Sequence, residues 1–213
     1  MTARVSLDDV RAALALDGFD PLEAQRRMAP QPRVLRRPQN RPGRPHQASV
    51  IVLLYPGDGG LAFPLIRRAE HPGDVHSGQI GLPGGAQEPG ETPLETALRE
   101  AREELGVRAA VQIIGRLAPL YIPPSDFEVT PFVGTLAGRP RWQPQADEVV
   151  EVLEFPLGGL LDEARKHVED WPFEGYSLRV PWYDVQGYRV WGATAIMLSE
   201  LEWRLRHVLN GRR

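Results

Sequence analysis

Three glutamates, Glu100, Glu103 and Glu104, crowd one short stretch of the chain, with Glu91 and Glu95 just ahead of them. Placed on a helix at about 100° per residue, the three fall within an arc of about 100°. Like charges three or four residues apart destabilise a helix by about 0.2–0.5 kcal/mol per pair, and little nearby answers the repulsion. Arg99 stands four residues from both Glu95 and Glu103 and can steady either or both. Glu100 has no basic residue three or four positions away, and Glu104 has only Arg108, past the helix end. A hard divalent cation would answer this charge, because Mg²⁺ takes oxygen ligands and binds a few carboxylates together with substrate phosphates. The alternative is a solvated acidic face. The preceding turn, LPGGAQEPGE, is rich in Gly and Pro, and such a turn brings backbone carbonyls and amides close to a metal or phosphate.

The spacing predicts that these glutamates ride on a helix from about Pro93 to Leu105. Thr92 caps it, Pro93 takes its first position, Glu95 closes a capping box, and Gly106 ends it in a left-handed conformation. Leu94, Leu98, Ala101 and Leu105 share the side that must face a sheet. Strands are expected in ASVIVLLY (Ala48–Tyr55), LAFPLIRR (Leu61–Arg68), a short piece near QIGLP, AVQIIGRLAPLYI, EVTPFVGTL, EVVEVLEF, YSLRVPWYDV and YRVWG. Further helices are expected from Ser6 to about Leu16, Leu22 to Met28, near Leu157–Lys166, and from about Ala193 to Leu209. Strands mixed with a few helices, without regular βαβ alternation, make an α+β fold. Residues 1–47 read as an N-terminal helical segment and a Pro/Arg-rich connector, and 48–213 as the main domain.

The 213 residues suit one domain of ordinary size, and an apolar fraction of 42% supports a core. A net charge of −3 gives no general attraction to nucleic acid or membrane. The connector arginines (Arg33, Arg36, Arg37, Arg41, Arg44) lack the interleaved aromatics of a nucleic-acid surface. With no cysteine in the chain, disulfides and thiolate metal sites are excluded. The opening MTARVSLDDVRAALA carries acidic residues where a signal peptide needs an apolar run, and ASVIVLLY is too short to span a bilayer. The expectation is a soluble cytoplasmic protein. In the last helix Ala195, Leu198, Leu201, Leu205 and Leu209 form a core stripe, with Trp203 off it. Trp182, Tyr183, Tyr188 and Trp191 either stack on a base, line a channel or pack in the core.

The glutamate stretch resembles the signature of the Nudix hydrolases: Gly, five residues, Glu, seven residues, then Arg-Glu-apolar-x-Glu-Glu-x-Gly-apolar. Here it reads Gly85, Glu91, Arg99, Glu100, Ala101, Glu103, Glu104, Gly106, Val107. The resemblance implies an α/β/α sandwich with a mixed sheet and a catalytic loop-helix-loop, and Mg²⁺- or Mn²⁺-dependent cleavage of nucleoside diphosphate derivatives. It implies Glu100 and Glu104 as main metal ligands, Glu103 as ligand or neighbour to one, the Gly85 carbonyl as a contributor, and Arg99 as the orienting group, paired with Glu91. Glu148 and Glu151 are the candidate general bases outside the helix. The flanks resemble the coenzyme A pyrophosphatase branch through Leu65, Arg68, Ala69, Gly78, LPGG (Leu82–Gly85), DFEVTPFVG, DEVVEVLEFPL and YRVWGATAIML. That branch hydrolyses coenzyme A or acyl-coenzyme A to 3',5'-ADP and 4'-phosphopantetheine. Arg68, Gly84, Gly85 and His76 are the corresponding substrate contacts, and a homodimer is implied by resemblance alone. The chain departs from the pattern in three ways. The segment between Ala69 and Gly78 is one residue longer and has no arginine, Leu82 replaces a Phe, and Ile66 and Arg67 replace part of a Leu-Thr run. His71 and His76, or Arg67 and Arg68, are the groups available to take the missing arginine's part.

Overall fold

The computed structural model describes residues 4–32, 42–70, 78–173 and 175–212. Its centre is a mixed sheet whose long strand β1 (His46–Gly57) alternates core faces residue by residue. Ile51, Leu53 and Tyr55 point to one side, and Val52 and Leu54 to the other. β1 turns into β2 (Gly60–Arg68) as a hairpin, pairs antiparallel with β4 (Gly84–Ala86), and runs parallel to β7 (Phe127–Thr135). β2 also pairs with β3 (Ile80–Gly81) and β8 (Val149–Pro156), while β7 takes β5 (Gln112–Arg116) and β6 (Leu120–Ile122).

Each face of this sheet is covered. Helix α3 (Pro93–Leu105) buries Ala97, Ala101 and Leu105 against Ile51, Leu53 and Phe132. On the other face lies α4 (Gly192–Asn210); of the expected stripe Ala195, Leu198, Leu201 and Leu205 are fully buried, and Leu209 is partly buried against the same core. A second, three-stranded sheet accompanies it, made of β9 (Lys166–Phe173), β10 (Tyr176–Val185) and β11 (Tyr188–Val190). The result is the expected α+β sandwich. Helices α1 (Leu7–Leu14) and α2 (Pro21–Arg26) pack on α4, and Ser6 caps α1 as expected, with Asp9 completing a capping box. Four of the connector arginines, Arg33, Arg36, Arg37 and Arg41, lie outside the described residues, and Arg44 is exposed.

One expectation gives way. The helix near Leu157–Lys166 is instead two short 3-10 turns, Leu157–Leu161 and Glu163–Arg165, and Lys166 opens a strand. Gly158 and Gly159 in the first turn disfavour a full helix, and an added Cβ on Gly159 would meet the Phe155 ring at 2.8 Å. β9 itself carries Glu, Asp and Pro, which a propensity reading passes over.

Candidate active site

The crowded glutamates stand on α3, and its ends form as expected. The Thr92 hydroxyl accepts from the Glu95 amide at 3.3 Å, the Glu95 carboxylate accepts from the Thr92 amide at 2.7 Å, and Gly106 closes the helix at φ 67°. The apolar stripe fixes the helix rotation, and that rotation turns Glu100 and Glu104 toward the Gly-rich segment around β4.

Glu104 is the most enclosed, its side chain only 4% exposed. Its carboxylate accepts from the Gly84 amide at 2.8 Å, and an Arg68 Nη1 lies 3.9 Å away. Burial pushes its pKa up to about 8, against the partial relief of the Gly84 amide and Arg68, and the charges of Glu100 and Glu148 add to the rise. Glu100 is likewise shifted upward, chiefly by burial and against the nearby Arg99. It lies so close under Gly85 that a Cβ added there would fall 2.3 Å from Glu100 Oε1. Gly84 is held at φ 149°, with Ser49 O and Val50 Cα at 2.3 and 2.5 Å from where a Cβ would sit. Only glycine fits there without displacing backbone, which is how its amide reaches Glu104.

Arg99 ties the loop to the helix. Its Nε and Nη2 fork onto Glu91 at 2.7 and 3.2 Å, Nη2 also reaches the Ala86 carbonyl at 3.0 Å, and Nη1 reaches Glu100 and Glu103 at 2.9 and 2.8 Å. The guanidinium holds Glu91 down at about 2. One reading from helical spacing is thereby corrected. Glu100 does have a cationic partner, the adjacent Arg99, because a long side chain bent back toward the loop escapes the three-or-four-residue rule. Glu95 is spent on the cap, so Arg99 steadies Glu103 alone of that pair. The structure brings Glu100 and Glu104 together in the interior, whereas Glu103 is 47% exposed and faces Arg99.

The end of β2 divides the remaining candidates. Arg67 pairs with Glu151, but the register then shifts and Arg68 pairs with Val149. The extra residue, Val150, is a β-bulge. Val149 therefore joins the α3-side core although Glu151, two residues on, points to the opposite face. Arg68 lies on the α3 side, beside Glu104. Arg67 lies on the other, with its Nε 3.4 Å from Glu151 Oε2, which also accepts from the Tyr188 hydroxyl at 2.8 Å. Of the two candidate bases, Glu148 is the one whose charge acts on Glu100 and Glu104. Its carbonyl is anchored by the Ala69 amide at 2.8 Å. Strand alternation alone separates Arg67 from Arg68, but nothing in the sequence marks the bulge. His71 and His76 lie outside the described residues. Of the other aromatics, Tyr183 is fully buried, Trp182 stacks on His167 at 4.4 Å, and Trp191 meets Trp171 edge-on at 4.7 Å. Trp203 lies under the Arg27 guanidinium, 3.9 Å from its ring centroid.

A layered α/β sandwich whose loop-helix-loop buries paired glutamates beside glycine backbone defines a class of protein, and the comparisons agree. The NUDIX domain model matches residues 45–174, and the chain belongs to the Nudix family. It is 39% identical over 134 residues to an uncharacterized Nudix hydrolase NudL of Pectobacterium atrosepticum, covering 59% of this chain and 66% of that one. It is also 39% identical over 141 residues to the NudL protein of Yersinia pestis, covering 64% and 69%. The chain thus spans only about two thirds of the length of these relatives. Among solved structures, a MutT/nudix family protein from Enterococcus faecalis superposes over 96% of this chain and 76% of its own, with TM-score 0.52 and 14% identity. A Nudix hydrolase from M. smegmatis, RenU, does so over 80% and 89%, with TM-score 0.51 and 21% identity. These two likenesses concern the fold.

Proposed function

We propose that the chain is a metal-dependent pyrophosphohydrolase that cleaves the pyrophosphate bond of coenzyme A or acyl-coenzyme A. The observation that carries the hydrolase reading is the Glu100–Glu104 pair. Two carboxylates buried side by side, both titrating above their ordinary range, are a costly arrangement for the protein alone. An oxygen-seeking divalent cation offsets that cost, so the donor set suits Mg²⁺ or Mn²⁺.

Glu100 and Glu104 would hold the metal, with the Gly85 backbone beside Glu100. When bound, the metal supplies Lewis-acid neutralisation of the pyrophosphate oxygens and a more acidic water. The rest falls to the chain. Arg99 fixes the loop against the helix, so that the carboxylates and the Gly84–Gly85 backbone keep one geometry. Arg68 places a positive charge beside Glu104, where phosphate oxygens gather. In this reading Glu148, whose charge acts on Glu100 and Glu104, takes a proton from the attacking water, while Glu151 is engaged by Arg67 and Tyr188. The water oxygen joins one phosphorus, the bridging P–O bond breaks, and the bridging oxygen leaves with the other phosphate.

The coenzyme A assignment rests on the flanking resemblance. The loop without arginine and Leu82 in place of Phe favour a second reading, in which the substrate is another nucleoside diphosphate derivative such as ADP-ribose or a dinucleotide. A panel of coenzyme A, ADP-ribose, a reduced dinucleotide and a diadenosine compound, each with Mg²⁺ and Mn²⁺, decides between them. Release of 3',5'-ADP from coenzyme A ahead of the others is expected. Preference for another member favours the second reading, and cleavage of none overturns both.

A further inference from the structure

We infer that Arg67, Glu151 and Tyr188 form a base-recognition subsite, on the sheet face opposite Arg68, that takes a planar ring bearing an amino group. The inference rests on the pyrophosphohydrolase reading, since it assigns the nucleoside end of that substrate. The three side chains come from three strands, β2, β8 and β11, and meet at the end of the main sheet that also carries Arg68 and Glu148. The Arg67 guanidinium lies 5.9 Å from the Tyr188 ring centroid, and Glu151 Oε2 bridges the two groups. Arg67 and Glu151 keep 32% and 40% of their side chains exposed, so the cluster is open to a ligand. This polar knot lies where the neighbouring positions of the same strand faces, Leu65 and Leu153, are buried core.

The chemistry of the cluster excludes a phosphate and suits a base. The positive charge of Arg67 is already matched by Glu151, and a free carboxylate oxygen repels an anion. Among the described residues, Glu151 Oε1 accepts no hydrogen bond, whereas Oε2 accepts two. An available carboxylate oxygen seeks an N–H donor, and a phenol ring with a guanidinium offers flat surfaces for stacking. An amino-substituted purine meets both demands, and a ring with a carbonyl at that position meets the carboxylate with like polarity. The bulge at Val150 sends Arg68 and Val149 to one face and Arg67 and Glu151 to the other. A substrate lying across the sheet end thus meets phosphate-binding charge on one face and ring recognition on the other.

The test is binding of AMP and IMP to the metal-free protein by titration calorimetry. These nucleotides differ at the ring position in question, amino against carbonyl, and binding without metal is independent of hydrolysis. Wild type is expected to bind AMP about tenfold more tightly than IMP, the size of one hydrogen bond to a charged acceptor. The near-isosteric Glu151→Gln, whose amide also donates, is expected to bring the two affinities within about twofold. Arg68→Ala should weaken both equally. Equal affinities in wild type, no AMP binding at millimolar concentration, or an unchanged preference in Glu151→Gln would each overturn the subsite. Failure of the pyrophosphohydrolase reading would show instead as a substrate panel left uncleaved by a protein that still prefers AMP.

Discussion

In the proposed mechanism Glu104 combines two demands in one side chain, burial for position and ionisation for chemistry. In the folded metal-free chain it titrates at about 8, against 4.5 ordinarily. The protonated form is therefore favoured by folding, and the stability it contributes is complete below the ordinary value. That stability is lost as pH rises through the folded value near 8. In a chelating buffer, the melting temperature should fall between about pH 5 and pH 8.5, and Glu104→Gln should flatten that fall. An equal slope in both proteins would rule the assignment out. If Glu104 is the proposed metal ligand, the same substitution removes that charge while keeping shape, so turnover with metal should drop about 10³-fold with the fold intact, as stopped assays and circular dichroism would register. The two glycines beside it separate fold from function. A Cβ at Gly84 strikes the backbone of Ser49 and Val50, while one at Gly85 strikes only the movable end of Glu100. Gly84→Ala should cost about 1–3 kcal/mol in urea unfolding. Gly85→Ala should leave stability nearly unchanged and lower turnover about 10²-fold by displacing Glu100.

At the scale of elements, α3 was the most legible part of the chain, because its start, stop and buried stripe each depend on residues close in sequence. Thr92, Glu95 and Gly106 act as the capping rules require. What the sequence hid is non-local. The bulge at Val150 is defined by its partner strand, and without it Glu151 cannot be assigned to a face. The strand β9 follows two 3-10 turns where the sequence reads as one helix. The reach of Arg99 likewise depends on where the loop folds. Its side chain holds Glu91, Ala86 O, Glu100 and Glu103 through a planar fork. Arg99→Ala should therefore reduce turnover about 10²-fold, and Arg99→Lys should recover little, since an ammonium cannot serve that fork. Full recovery by lysine would mean that charge alone is required.

Across the whole molecule, two fully buried glutamates on α4 join layers that sequence periodicity treats as separate. Glu202 accepts from the Tyr183 hydroxyl at 2.7 Å and pairs with Arg206 and Lys166, the only lysine in the chain, so it locks the small sheet to α4. Glu200 accepts from Gln25 Nε2 at 3.0 Å, the Ala118 amide at 3.1 Å and Arg204 Nε at 3.0 Å. It thus binds α2 and the turn after β5 to the same helix, and the Ser199 hydroxyl adds a bond to the Ala24 carbonyl at 2.7 Å. Helical spacing puts Glu202 within the arc of the apolar stripe but Glu200 on the opposite side, so the burial of Glu200 depends on the layers packed around it. Removing one partner of a buried ion pair leaves the other uncompensated and costs about 3–5 kcal/mol. Glu200→Ala should therefore lower global stability by about that amount in denaturant. In native-state hydrogen exchange, residues 21–26 should open first, because the Gln25 bond to α4 has been cut. Turnover per folded molecule should hold, since Glu100 and Glu104 lie across the main sheet. Exchange that rises uniformly over both faces, with turnover falling in step, would show instead that α4 supports the catalytic face directly.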